Sequence, residues 1–90
     1  SYKHPPNQVI RVVLGVLAEV EEVRKVPAPE VHVLDFADSA ITYRIRMWIE
    51  DYAQRWNIET SVRVGLWYAF RREGLEIPFP IRTLVRAPRE

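Results

Sequence analysis

The sequence contains no cysteine, only three glycines and no long hydrophobic run. Without cysteine, the chain can form neither a disulfide framework nor a thiolate metal site. Its longest run of apolar or small residues, 12–18, is far shorter than the ~20 residues that a helix needs to span a bilayer. These absences exclude a disulfide-stabilised fold and leave no predicted membrane-spanning helix.

A strong excess of charge of one sign is also missing. Thirteen Lys and Arg residues oppose twelve Asp and Glu residues, which gives a formal net charge of +1. Nucleic acids and anionic membranes attract strongly basic chains, so the overall charge favours neither partner. The 90 residues are 48% hydrophobic and 28% charged, a balance typical of a folded domain. We therefore expect a single domain over 1–90, and because the chain begins with Ser1 and has no signal-peptide pattern, we expect a fragment of a longer protein.

Residue patterns typical of catalysis or cofactor binding are scarce. The only two histidines, His4 and His32, are too far apart in sequence for a paired metal-ligand motif. Asp35 and Asp38 bracket a predicted turn, where carboxylates more often bond the backbone than act as acid and base. The three glycines are isolated, so none forms a phosphate-binding loop. We predict no catalytic, cofactor-binding or metal-binding residue and expect that the chain is not an enzyme.

Hydrophobic periodicity predicts five elements. A helix is expected over roughly 6–24, with Pro5 and Pro6 at its start and further prolines after its end. Two strands over 30–37 and 40–51 should form a hairpin with its tip near 38–39. The first strand changes the parity of its apolar residues, which predicts a bulge or burial of both faces.

The second strand has the clearest alternation in the chain. One face is apolar, and its residues are Ile41, Tyr43, Ile45, Met47 and Ile49. After a polar connector over 53–57, a second helix is expected to run to Glu73, with Asn57 or Thr60 as its cap and Gly74 as its stop. A last strand is expected over 81–87.

These elements predict an α+β fold in which two helices pack on a mixed sheet, in the order α–β–β–α–β. The order fits a ferredoxin-like split βαβ sandwich whose leading strand is truncated. Ser1 and Tyr2 would be the remainder of that strand.

The other face of the second strand carries Thr42, Arg44, Arg46 and Trp48. Basic residues beside an aromatic ring on a sheet are typical of RNA-binding α+β sandwiches, which keeps RNA binding as an alternative function. The simpler interpretation is that Arg44 and Arg46 pair with Glu30 or Glu50 and that Trp48 packs against another element or subunit. We favour the simpler interpretation and expect no nucleic acid partner.

Aromatic residues are concentrated on or near the second helix. Trp56, Trp67, Tyr68 and Phe70 supply more apolar surface than one face of a small domain readily buries. A subunit interface is one explanation, and burial in a single core is the other. The last third of the chain is also rich in arginine and the first third rich in glutamate, which would suit head-to-tail contacts between copies or a simple solvated surface.

Three motifs carry a family resemblance. The run from Gly74 to Pro80 reads Gly-Leu-Glu-Ile-Pro-Phe-Pro, residues 35–39 read Asp-Phe-Ala-Asp-Ser, and residues 46–49 read Arg-Met-Trp-Ile. The chain thereby resembles the C-terminal cytoplasmic domain of the small-conductance mechanosensitive channels, the MscS-like family. That family usually has glycines at the positions of Asp35 and Ala37, so the turn here departs from its pattern. The residues that match its structural motifs are Phe36, Asp38, Ser39, Trp48, Gly74, Ile77, Pro78, Phe79 and Pro80.

The resemblance implies a structural role in a membrane channel. In the family, seven copies form a hollow vestibule at the cytoplasmic face of the inner membrane, and tension opens a pore that releases ions and small osmolytes. The membrane region would lie outside this sequence, and the partners would be other copies of the chain. Trp48, Trp67 and Tyr68 are the expected interface residues. A small-molecule sensor is a further alternative, although no residue cluster in the sequence predicts one.

Overall fold

The computed structural model describes residues 4–37, 40–76 and 81–87. A 3₁₀ turn over Tyr52–Gln54 precedes the second helix, and the other elements are α1 (Pro6–Glu19), β1 (Glu30–Ala37), β2 (Ala40–Trp48), α2 (Arg55–Arg72) and β3 (Ile81–Arg86). The predicted α+β class and the order α–β–β–α–β are confirmed. No helix within the described ranges is both long enough and apolar enough to cross a membrane.

The three strands form one mixed sheet in the order β1-β2-β3. β1 and β2 pair antiparallel as the predicted hairpin, and β2 and β3 pair parallel. α2 connects two strands that are direct neighbours, so the described sheet departs in this detail from a split βαβ unit, in which another strand lies between them. The residues expected to remain from a leading strand, Ser1 and Tyr2, lie outside the described residues.

The inner face of β2 is the centre of the hydrophobic core. The five apolar residues predicted for this face are all buried. α1 and α2 pack over them with apolar residues at helical spacing, which are Val9, Val13, Val16 and Leu17 from α1 and Ile58, Val62, Leu66, Ala69 and Phe70 from α2. The register of β1 shifts between Val33 and Asp35, which favours the bulge over the other predicted alternative, burial of both faces.

Two element boundaries differ from the prediction because tertiary contacts compete with local propensity. α1 ends at Glu19 rather than near residue 24, and Val23 turns away to form a bridge with Ile49 and becomes 99% buried. β2 likewise ends at Trp48 rather than at Asp51. Beyond it, the backbone N–H of Ile49 donates to the carbonyl of Arg86 at 2.8 Å.

The start of α2 also differs from the prediction. The helix begins at Arg55, so most of the expected polar connector is helical, and neither Asn57 nor Thr60 caps it. The Asp51 side chain instead accepts a hydrogen bond from the Ala53 N–H at 3.1 Å and caps the preceding 3₁₀ turn. The Thr60 hydroxyl donates to the carbonyl of Trp56 within the helix.

Gly74 ends α2 as predicted. Its φ of 69° lies in the left-handed region that side chains disfavour. The N–H of Leu75 donates to the carbonyl of Phe70 at 2.9 Å, and the N–H of Gly74 donates to that of Arg71 at 3.2 Å. These two bonds form a Schellman motif, and the buried side chains of Leu75 and Phe70 provide its usual apolar contact.

The two helices approach closely at Gly65. A Cβ atom at this position would lie 2.9 Å from Cγ1 of Val16, whereas a Cβ at Gly15 would meet nothing within 4 Å. Val16 is buried and β-branched, so its side chain has little freedom to move away. Gly65 therefore sets the spacing between α1 and α2, and Gly15 does not.

We expect Gly65→Ala and Gly15→Ala to change stability in opposite directions. Alanine at residue 15 should stabilise the domain by up to about 1 kcal/mol because it lowers the entropy cost of helix formation. At residue 65 the same gain is opposed by an overpacking cost of about 1–3 kcal/mol. Thermal denaturation should show a higher Tm for Gly15→Ala and a lower Tm for Gly65→Ala. Equal stabilisation by both would contradict the close helix contact.

Tyr43 gives the core a dependence on alkaline pH. Its ring is buried on the inner face of β2, and burial raises the pKa of its hydroxyl above the ordinary value of 10.0. The unfolded chain therefore releases this proton at a lower pH than the folded chain. The corresponding stability is present below pH 10 and is lost as the pH rises from there to the raised pKa.

We expect Tyr43→Phe to reduce the loss of stability above pH 10. Urea denaturation across the alkaline range measures this directly, as the slope of the unfolding free energy against pH. Tyr68→Phe, which makes the same substitution at an exposed position, serves as the matched control. An unchanged slope in Tyr43→Phe would show that other groups cause the alkaline loss.

Candidate functional site

The residues that match the family motifs fall partly within the described structure. Gly74 ends α2, and Trp48 is the last residue of β2. The backbone of Phe36 pairs with Ile41 in the hairpin. Other predicted motif residues lie outside the described residues, and these are Asp38, Ser39, Ile77, Pro78, Phe79 and Pro80.

The histidines have structural neighbours rather than metal-site geometry. His4 Nε2 accepts a hydrogen bond from the backbone N–H of Glu76 at 3.1 Å, which joins the start of the described chain to the segment after α2. His32 Nε2 lies 3.5 Å from the Glu30 carboxylate on β1. In the described part of the chain, no three His, Asp or Glu side chains are grouped so that they could hold a metal ion.

Both helices pack on the inner face of the sheet, so neither helix lies on the outer surface of β2 and β3. This helix-free face consists of Thr42, Arg44, Arg46 and Trp48 on β2 and Arg82, Leu84 and Arg86 on β3. The parallel register places Arg44 beside Arg82, and Trp48 beside Arg86. The predicted grouping of Arg44, Arg46 and Trp48 is therefore seen, and β3 adds two arginines to it.

Arg46 has the contacts expected from the simpler interpretation of the sequence. Its Nη1 lies 3.6 Å from the carboxylate of Glu30, and its guanidinium lies 5.0 Å from the centroid of the Trp48 ring. Arg44 forms no ion pair with a described residue. Glu50, the other expected partner, instead accepts from Arg24 Nη1 at 2.9 Å. The buried Nε–H groups of Arg44 and Arg46 have no hydrogen-bond partner among the described residues.

An open groove lies where the carboxyl ends of β2 and β3 meet. It has a volume of about 860 Å³ and is lined by Pro27, Arg46, Trp48, Tyr52, Val85, Arg86 and Ala87. These residues come from the loop after α1, from two strands, from the 3₁₀ turn and from the position directly after β3. Three of them, Pro27, Tyr52 and Arg86, had no sequence signal that linked them to Trp48.

Backbone pairing and one ion pair hold the walls of the groove. The N–H of Arg24 donates to the carbonyl of Trp48 at 2.8 Å, beside the bridge between Val23 and Ile49. The Arg24 side chain then donates to Glu50 and to the carbonyl of Val26. The loop after α1 is thereby fixed along the end of β2.

A second exposed surface lies on α2, on the side opposite the core. The outer α2 stripe consists of Trp56, Val64, Trp67 and Tyr68, which are 44–65% exposed. At 100° per residue these four positions fall within about 120° of the helix surface. Trp67 and Tyr68 form an edge-to-face pair with centroids 5.1 Å apart, and Arg71 stacks on Trp67 at 5.0 Å.

The two surfaces divide the residues that the sequence had grouped. Trp48 lies on the helix-free face, whereas Trp67 and Tyr68 lie on the outer α2 stripe. The arginines near the C-terminus divide in the same way, since Arg82 and Arg86 are on β3 and Arg71 is on α2. The described structure is that of a small α+β domain with an exposed aromatic stripe on α2 and a partly buried sheet face that is rich in arginine.

Comparison with known proteins supplies the family. Residues 1–77 match the family model described as the C-terminal domain of the mechanosensitive ion channel MscS. The chain belongs to this family, as its motifs indicated. Comparison with curated proteins and with solved structures gave no significant match.

Proposed function

We propose that the chain forms part of the wall of a cytoplasmic vestibule, at the inner face of the cell membrane, in a channel that releases ions and small osmolytes under membrane tension. The family match over residues 1–77 carries this proposal. Copies of the chain would be its partners, seven to a ring by resemblance to the family. RNA binding is not proposed, because no comparison supports it.

The outer α2 stripe is the surface that we assign to contacts between copies. A cluster of exposed aromatic side chains is unusual on a domain that acts alone, and tryptophan and tyrosine are enriched at protein interfaces. The edge-to-face contact of Trp67 and Tyr68 and the stacking of Arg71 restrict these side chains before any partner binds. Less conformational entropy is then lost on association.

Trp48 cannot share one contact patch with Trp67 and Tyr68, because it lies on the other side of the sheet. A ring of copies related by rotation needs two different patches on each subunit. The outer α2 stripe would supply one of them. Trp67 and Tyr68 are the contact residues that we propose for this patch.

The channel function is tested in the gene product that contains this chain, expressed in cells that lack their own tension-gated channels. We expect patch-clamp recording to show a conductance that opens with membrane tension. Survival of a sudden fall in external osmolarity should increase in the same cells. Absence of a tension-gated current, with the protein present in the membrane, would refute the proposal.

The assembly role predicts that the double substitution Trp67→Ser and Tyr68→Ser weakens association of the subunits. Truncation of an aromatic residue at the centre of an interface commonly costs about 2 kcal/mol or more. Chemical cross-linking of the full channel in membranes measures the assembled fraction. Leu14→Ser, at an exposed apolar position on α1, is the matched control and should assemble normally. Equal assembly of both variants would show that the contact between copies does not lie on the outer α2 stripe.

A further inference from the structure

The groove at the ends of β2 and β3 combines two kinds of recognition chemistry. Arg46 and Arg86 line it and offer planar guanidinium groups, which suit the paired oxygens of a phosphate. Trp48 and Tyr52 line it with aromatic rings. Because Arg46 and Arg55 already lie over these rings, a flat heterocycle would stack on the opposite ring faces. The groove thus has two arginines and two aromatic residues among its lining residues.

Charge around the groove favours an anion. The helix-free face carries four arginines. On the neighbouring strand β1, the carboxylate of Glu30 lies near one of them, Arg46, and partly offsets their positive charge. This local excess of positive charge contrasts with the net charge of +1 for the whole chain. Arg55, which stacks on Tyr52 at 4.4 Å, adds positive charge close to the groove.

The position and size of the groove also suit a small ligand. In open α/β sheets, ligands bind outside the carboxyl ends of the parallel strands, and this groove lies at the corresponding end of the parallel pair β2 and β3. Its volume of about 860 Å³ falls within the range of roughly 300–1,000 Å³ that is common for small-molecule sites. Its walls are fixed by the Arg24 and Glu50 ion pair and by backbone pairing.

We propose that this groove binds a mononucleotide. Arg46 and Arg86 hold the phosphate, and the base stacks against the rings of Trp48 and Tyr52. This site is distinct from the outer α2 stripe and does not depend on the channel function. The groove is a cluster of residues suited to a small ligand, and the sequence alone did not indicate this cluster.

Tryptophan fluorescence of the 90-residue chain tests the proposal, with AMP as the probe. Substitution of Trp56 and Trp67 by Phe leaves Trp48 as the only tryptophan, so that quenching reports on the groove. We expect saturable quenching by AMP, with a Kd in the range of about 10 μM to 1 mM. Adenosine and ribose 5-phosphate should each bind about tenfold or more weakly, because each lacks one of the two contacts. Calorimetry on the unsubstituted chain repeats the comparison without the tryptophan substitutions.

Two arginines on the same strand provide a matched pair of variants. Arg86→Gln removes a charge inside the groove, and Arg82→Gln removes a charge from the same face at the far end of β3. We expect Arg86→Gln to weaken AMP binding by about tenfold or more and Arg82→Gln by less than about twofold. Equal weakening by both would show attraction to general surface charge and would overturn the assignment of the groove.

Other outcomes also decide against the proposal. Absence of saturable AMP binding up to about 10 mM would overturn it. Ribose 5-phosphate that binds as tightly as AMP would exclude recognition of the base. An oligoribonucleotide that binds about a hundredfold more tightly than AMP would replace a mononucleotide with RNA as the ligand.

Discussion

Burial of the inner face of β2 is the constraint on which the other elements depend. Its four alternating apolar residues, together with Ile49 directly after the strand, meet α1 and α2 on one side of the sheet. β1 and β3 pair with its two edges. Because a strand has a period of two, this burial places every intervening residue on the opposite face. The arginines and the tryptophan of the helix-free face are therefore positioned by the requirement that the core be apolar.

A second constraint acts at the carboxyl end of β2. The backbone of Trp48 and Ile49 is paired on one side with the loop after α1 and on the other side with the end of β3. The backbone at Val23 is therefore paired with Ile49 instead of being helical, and α1 ends earlier than its sequence suggests. The same pairing brings the loop, the 3₁₀ turn and β3 together around the groove. The backbone hydrogen bonds at the end of β2 therefore also form the walls of the groove.

The domain separates two kinds of exposed chemistry. Its helical side presents the outer α2 stripe, which is aromatic and suited to contact with protein, whereas its sheet side presents arginines beside a tryptophan. A small domain exposes much of its surface, so such a separation gives it room for more than one contact. Within a family of channel domains, the first surface suits assembly and the second suits recognition of a small anion.

Several features followed from the sequence alone because they rest on local periodicity and backbone chemistry. The alternation of β2, the bulge in β1, the stop at Gly74 and the order of the elements were all predictable, as was the family from its motifs. Tertiary structure alone decided where α1 ends, that β3 pairs directly with β2, and that Trp48 and Trp67 lie on opposite sides. It also brought Pro27, Tyr52 and Arg86 to one groove. These outcomes depend on contacts between segments distant in sequence, which no local pattern of residues specifies.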